Sequence, residues 1–176
     1  MIKWKRVTPL RFLIGMFFFI PLFSLLLALQ LGSVENLMVT SESMEPTLFT
    51  GDRVIMKRIE EYTPERGDVV VLKDPVKKAD LLTKRVVAVS GDVIRIVNGV
   101  VFVNEQQEMS NFLTNANMKL NWPNCKIAVP NGEVFVLGDN RNRSFDSLNF
   151  GPVDLHDLRG KLMYRYWPLE RAGEIN

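Results

Sequence analysis

The sequence predicts a mainly β protein: an antiparallel β domain behind one N-terminal transmembrane helix. Three observations carry this reading. Residues Phe12 to Leu31 contain no charged side chain. After them come short β-branched runs separated by turn signals, with one brief helical hint. Two of those runs, Val93–Val97 and Val100–Asn104, flank Asn98-Gly99, the strongest short-range hairpin signal a sequence can carry.

The apolar run comes first. Only Ser24 and Gln30 interrupt it with polarity. Twenty residues at a 1.5 Å rise reach about 30 Å, one hydrocarbon thickness. Pro21 would break most soluble helices but is tolerated in membrane helices. A buried core helix fits poorly because no face is polar. A cleaved signal peptide fits poorly because the run is long and Leu29-Gln30-Leu31 makes a poor cleavage site. The expectation is an uncleaved anchor over residues 12–31. Lys3, Lys5, Arg6 and Arg11 precede it, and the first acidic residue is Glu35. By the positive-inside rule, residues 1–11 form a cytoplasmic basic stub and residues 32–176 lie outside the cell membrane.

Strands are expected at Arg53–Ile59, Asp68–Leu72, Arg85–Val89, Glu133–Leu137 and Lys161–Trp167, beside the hairpin and a short β-prone stretch at Leu37–Thr40. A turn or two of helix is expected around Val153–Leu158. Residues 105–132 read as a polar surface excursion. Runs of strands with little helix point to an antiparallel architecture.

Charge and composition exclude several functions. Lys and Arg number 22 against 20 Asp and Glu, a net charge of +2, too slight to argue for nucleic acid. Without the four N-terminal cations, 18 positive residues face 20 negative ones. One Cys allows no internal disulfide and no Cys-rich zinc site, and one His allows no multi-histidine metal cluster. No metal and no cofactor is implied.

The candidate nucleophile lies in Ser41-Glu42-Ser43-Met44-Glu45-Pro46-Thr47-Leu48. Serines before a proline also suit an ordinary turn. A serine nucleophile needs a base. The sole imidazole, His156, stands in Asp154-Leu155-His156-Asp157, where a surface histidine is the simpler reading. Lysine is the other base available to serine. It must be buried among apolar groups to lose its proton near neutrality. Lys84, in Leu81-Leu82-Thr83-Lys84-Arg85-Val86-Val87, suits that requirement best, with Lys57 second. A lysine that snorkels from a strand to the surface is the competing reading.

Four motifs occur in order: Ser41-x-Ser43-Met44-x-Pro46-Thr47-Leu48; Arg66-Gly67-Asp68-Val69-Val70-Val71; Lys84-Arg85-Val86-Val87-Ala88-x-x-Gly91-Asp92-x-Ile94; and Gly138-Asp139-Asn140-Arg141-x-x-Ser144-x-Asp146-Ser147-x-x-x-Gly151-x-Val153. Behind an N-terminal anchor, this resembles the bacterial type I signal peptidases, membrane-anchored serine proteases that remove signal peptides. The resemblance runs from the anchor to Arg165-Tyr166-Trp167-Pro168. It implies Ser43 as nucleophile and Lys84 as general base. It implies the Ser43 N–H and the Ser41 hydroxyl as oxyanion hole, and Ser144 as a hydrogen-bond partner that orients the Lys84 amine. Arg85 and Asp146 are expected to pair and brace the site. Leu148 departs from the family, which commonly has Arg there. Glu42 stands where a small residue is frequent. Cys125 is read as a structural or idle thiol.

The resemblance further implies that an extended preprotein segment binds between Leu37–Thr40 and Asp80–Thr83. Val39, Met44 and Leu82 would form shallow apolar pockets for small residues before the cut. The partners implied are exported preproteins and the lipid bilayer, with the enzyme acting as a monomer. Two other readings stand beside this one. One is a conjugation- or pilus-associated peptidase with a dedicated substrate. The other is an inactive, anchored scaffold that binds signal peptides, against which an intact Ser43–Lys84 pair argues. The self-cleaving repressors share serine–lysine chemistry, but no DNA-binding helix pair precedes Ser43.

Overall fold

The computed structural model describes residues 19–21, 23–24, 34–58, 63–108 and 124–175. The chain divides into two compact units, residues 1–35 and 36–176. In the first, residues 19–21 and 23–24 are helical, and the Ser24 hydroxyl donates to the Pro21 carbonyl at 2.9 Å. The rest of the expected anchor and the basic stub fall outside the described residues. Among the described residues no helix is long and apolar enough to cross a membrane.

From Val34 on, the described chain is antiparallel β. Its strands are β1 (Val34–Met38), β2 (Arg53–Arg58), β3 (Val69–Lys73), β4 (Leu81–Ala88), β5 (Val93–Val97), β6 (Val100–Val103), β7 (Gln106–Gln107), β8 (Cys125–Ala128), β9 (Glu133–Leu137), β10 (Val153–Asp154), β11 (Leu158–Trp167) and β12 (Gly173–Glu174). One sheet runs β1-β2-β11-β3-β4-β9-β10, with β12 added to β11, and a smaller one runs β7-β6-β5-β8.

The β5–β6 hairpin forms as its sequence demands. Asn98 and Gly99 have φ of 50° and 79°, the pair of positive angles a two-residue turn requires. Ile94 then faces Val103 and Val97 faces Val100. Burial alternates along both strands, so one face is apolar and the other wet. By contrast β3 is buried on both faces. Val69 and Val71 join Met44, Leu48, Val54, Met56 and Leu162 in one core. Val70 and Leu72 join Val86, Val134, Val136 and Leu158 in another. A third core, with Val87, Ile94, Ile96, Val101, Phe135 and Leu137, ties the small sheet to the large one.

The turn of helix expected around Val153–Leu158 forms over its central residues. Val153 pairs with Val134 in a strand. Only Leu155–Asp157 form a 3-10 turn, capped by the Asp154 side chain on the His156 N–H. The local cap suffices for one turn, and Leu158 is already taken by β11. A short helix instead lies at α1 (Ser147–Phe150), where Asp146 and Asn149 form a reciprocal capping box. Of the 105–132 excursion, the described ends supply β7 and β8.

Candidate active site

The turn after β1 holds Ser43. Its geometry follows from two apolar anchors, Met44 and Leu48, which are fully buried. The Leu48 N–H donates to the Met44 carbonyl at 2.9 Å. The turn is closed by Gly51, whose N–H donates to the Val39 carbonyl at 2.8 Å. Gly51 has a φ of 92°, a conformation in which a Cβ is strained. Ser43 is left 7% exposed.

Lys84 lies on β4 opposite Val70 of β3 and is 2% exposed. Its Nζ donates to Ser43 Oγ at 2.9 Å and to the Thr83 carbonyl at 2.9 Å. Burial pushes its pKa down from 10.5 to about 8, while Asp146, Asp139 and Asp74 pull it back up. An ammonium in an apolar setting is destabilised relative to the neutral amine. A lysine so placed holds a useful fraction of base near neutral pH. Ser41 Oγ lies 3.2 Å from Ser43 Oγ.

Two expected contacts differ. Arg85 takes Asp139 rather than Asp146 as its partner. Its Nε and Nη2 donate to the two Asp139 oxygens at 2.9 and 2.8 Å, and its Nη1 donates to the Gly67 carbonyl at 2.6 Å. Asp146 is committed to backbone donors, the N–H groups of Gly138 at 3.1 Å and Leu148 at 3.2 Å. A carboxylate that caps a helix and receives a neighbouring N–H is already satisfied. Leu148, in the helix that Asp146 caps, packs against the apolar core. The second difference concerns Ser144. Its Oγ is the one buried side-chain oxygen or nitrogen among the described residues without a hydrogen bond. The Lys84 amine instead curls back onto the carbonyl of its own strand neighbour, Thr83.

Four residues outside the expected set complete the site. Thr47 Oγ1 donates to Asp139 at 2.5 Å, tying the serine turn to the Arg85 ion pair. The Asn140 N–H donates to the Ser43 carbonyl at 3.0 Å. Gly138 is wedged between the serines. A Cβ there would lie 2.3 Å from Ser144 Oγ and 2.5 Å from the Ser43 carbonyl oxygen. The sequence offered a signal for all four, Thr47 in the first motif and Gly138-Asp139-Asn140 in the last, but membership of a motif cannot say which carboxylate reaches Arg85. The other candidates stand apart: Lys57 and His156 are exposed, and Cys125 is half-buried with its thiol pKa raised by burial. Glu42, beside Ser43, pairs with Arg143 at 2.5 Å.

A cleft of about 660 Å³ leads to Ser41 and Met44 between residues 37–40 and 79–83. Val39, Met44 and Leu82 line it. The β9 ladder on β4 covers Arg85 to Ala88. Leu81–Thr83, paired with β3 on one side, borders the cleft.

This fold and this pairing define a class: β proteins with a serine and a buried lysine beside an extended cleft. The chain belongs to the signal peptidase, peptidase S26 family, whose family model matches residues 12–167. It is 37% identical over 146 residues to a probable thylakoidal processing peptidase 2 of Arabidopsis thaliana, covering 78% of this chain and 39% of that one. It is 32% identical over 160 residues to a probable signal peptidase I-1 of Synechocystis, covering 86% and 80%. The chain spans about two-fifths of the length of the Arabidopsis thylakoidal relatives. The fold is that of a crystal structure of a signal peptidase I from Enterococcus faecalis, with a TM-score of 0.51 at 22% identity, covering 59% of this chain and all of that one.

Proposed function

We propose that this chain is a membrane-anchored signal peptidase that cleaves signal peptides from exported preproteins through a serine–lysine acyl-enzyme mechanism. The observation that carries the proposal is the 2.9 Å contact between the Lys84 Nζ and Ser43 Oγ, inside a site where burial lowers the lysine pKa to about 8.

In this mechanism the neutral Lys84 amine takes the Ser43 hydroxyl proton as Oγ attacks the scissile carbonyl carbon. The Ser43 N–H and the Ser41 hydroxyl receive the oxyanion; one such donor is worth about 3 kcal/mol. The carbon–nitrogen bond then breaks, and Lys84 returns the proton to the leaving amine. Water attacks the acyl-enzyme with Lys84 again as base and releases the signal peptide as a carboxylate. The substrate runs as an added strand along Leu81–Thr83, with alternate side chains toward Val39, Met44 and Leu82. Those shallow walls suit small residues before the cut. Residues 12–31 anchor the enzyme with residues 1–11 in the cytoplasm and residues 32–176 outside. The tether raises the effective concentration of a membrane-held substrate.

The test is cleavage of a model preprotein in detergent by the wild type and by Lys84→Ala. The expected result is a single cut after small residues by the wild type and none by the variant. Equal cleavage by both sinks the mechanism.

A further inference from the structure

We infer that the segment ending β11 and the turn after it clamp the nucleophile turn, with Arg165 and Arg171 as positioning residues for Ser43; this rests on the serine-peptidase reading above. The inference starts from Asp52, which closes the turn and is fully buried. One of its oxygens accepts the Phe49 N–H at 3.0 Å, and its carbonyl accepts the Val39 N–H at 2.8 Å. A carboxylate out of water needs cations beside it. Arg171 supplies a fork, with Nη2 and Nη1 at 2.6 and 3.1 Å from the two Asp52 oxygens. Such two-pronged contacts fix geometry as well as charge. The same guanidinium lies 4.6 Å above the Phe49 ring.

Arg165 reaches further into the turn. Its Nη1 donates to the Thr47 carbonyl at 2.7 Å and lies 3.5 Å from Asp52. Its Nε donates to the Arg171 carbonyl at 2.5 Å, so each arginine sets the position of the other. Thr47 is thereby gripped on both sides, by Arg165 at its carbonyl and by Asp139 at its hydroxyl. The chain returns to make this contact. A 3-10 turn over Leu169–Arg171 reverses it, β12 pairs back onto β11 at Tyr164 and Arg165, and Ile175 is buried in the core that holds Met44 and Leu48. The cleft wall at Leu81–Thr83 belongs to a different strand. The clamp therefore governs where Ser43 Oγ sits relative to Lys84, while the wall along which substrate pairs is held by β3.

The experiment uses the full chain in detergent, a signal-bearing preprotein and three variants: Arg165→Gln, Arg171→Gln and, as a matched loss of one charge at an exposed site on β11, Arg159→Gln. Rates are taken per folded molecule, from the unfolding curve of each variant. Arg165→Gln is expected to lower kcat by about 10- to 100-fold, the penalty of misplacing a reacting group. KM should change less than kcat, because the Leu81–Thr83 strand along which substrate pairs is untouched. Arg171→Gln should lower kcat less, and Arg159→Gln should match the wild type. Amide exchange at Phe49, Gly51 and Asp52 should speed up in Arg165→Gln while the β3 amides keep their protection. Unchanged kcat per folded molecule in Arg165→Gln, or unchanged exchange at those three amides, overturns the clamp. If the wild type does not cleave, the functional reading falls, and the exchange measurement alone decides the clamp.

Discussion

Strands β5 and β6 bury Ile94, Ile96, Val101 and Val103 and turn Arg95 and Phe102 outward, where the guanidinium lies 4.5 Å from the ring. Strand β4, in the larger sheet, buries Lys84 and Arg85 side by side. Both regions are antiparallel β, yet one keeps charge in water and the other takes it inside. The difference lies in the partners. Arg85 meets Asp139 in a forked pair, the geometry in which a buried charge is tolerated. Lys84 donates to a hydroxyl and a carbonyl, with no carboxylate hydrogen-bonded to it among the described residues, and burial disfavours its charged form.

The comparison breaks first at the serine and the lysine. Ser43→Ala and Lys84→Ala should each lower cleavage at least about a thousandfold, within the range assigned to general-base catalysis. In the wild type the rate should climb about tenfold per pH unit on the acid side and level off above about pH 8, where the Lys84 amine is mostly neutral. A profile flat from pH 5 to 9, with chemistry rate-limiting, removes lysine as the base.

Gly138→Ala comes next. Its Cβ would sit 2.5 Å from the Ser43 carbonyl oxygen, so the serine turn must move. Activity per folded molecule should fall about a hundredfold, the scale of a 1 Å misplacement. Wild-type kcat in that variant would show that the turn has slack.

The small sheet should respond in the opposite sense. Ile94→Ala should lower unfolding free energy by about 2–5 kcal/mol while the kcat of the folded enzyme stays at the wild-type value. Denaturant titration and an assay on the same sample give both numbers. A large kcat loss would mean that the two sheets share more than a core.

Lys84→Met tests the buried charge by stability. The unfolded lysine titrates near 10.5 and the folded one near 8. Between those values the unfolded state binds more protons, so wild-type stability rises with pH across that window. Below pH 8 both states are protonated and the wild type carries the whole penalty, about 3 kcal/mol. Lys84→Met should therefore gain on the wild type at pH 7 and lose that advantage towards pH 10.5. A pH-independent gap would show that the lysine titrates alike in both states. The smallest effect is expected at His156→Ala, which should cleave at the wild-type rate; loss of activity there would restore a histidine mechanism.

Much of this was legible in the sequence. The Asn98-Gly99 hairpin, β9 at Glu133–Leu137 and the apolar run of β3 all follow from local rules of turn chemistry and burial. The four motifs in order named the family. The α1 helix was not legible, because its four residues carry no periodic pattern and owe their turn to the Asp146 cap.

By itself, then, the sequence determined the β class, the hairpin register and the short list of serine and lysine candidates. These rest on neighbours along the chain. Only the tertiary structure decided which carboxylate Arg85 would take, that the Lys84 amine would rest on Thr83, and that Arg165 would grip a turn 118 residues away. Each of those choices is made between groups distant in sequence. An Asp that can cap a helix satisfies itself locally and leaves the distant arginine to its neighbour in the motif, Asp139. That competition is settled by packing, which no single stretch of sequence contains.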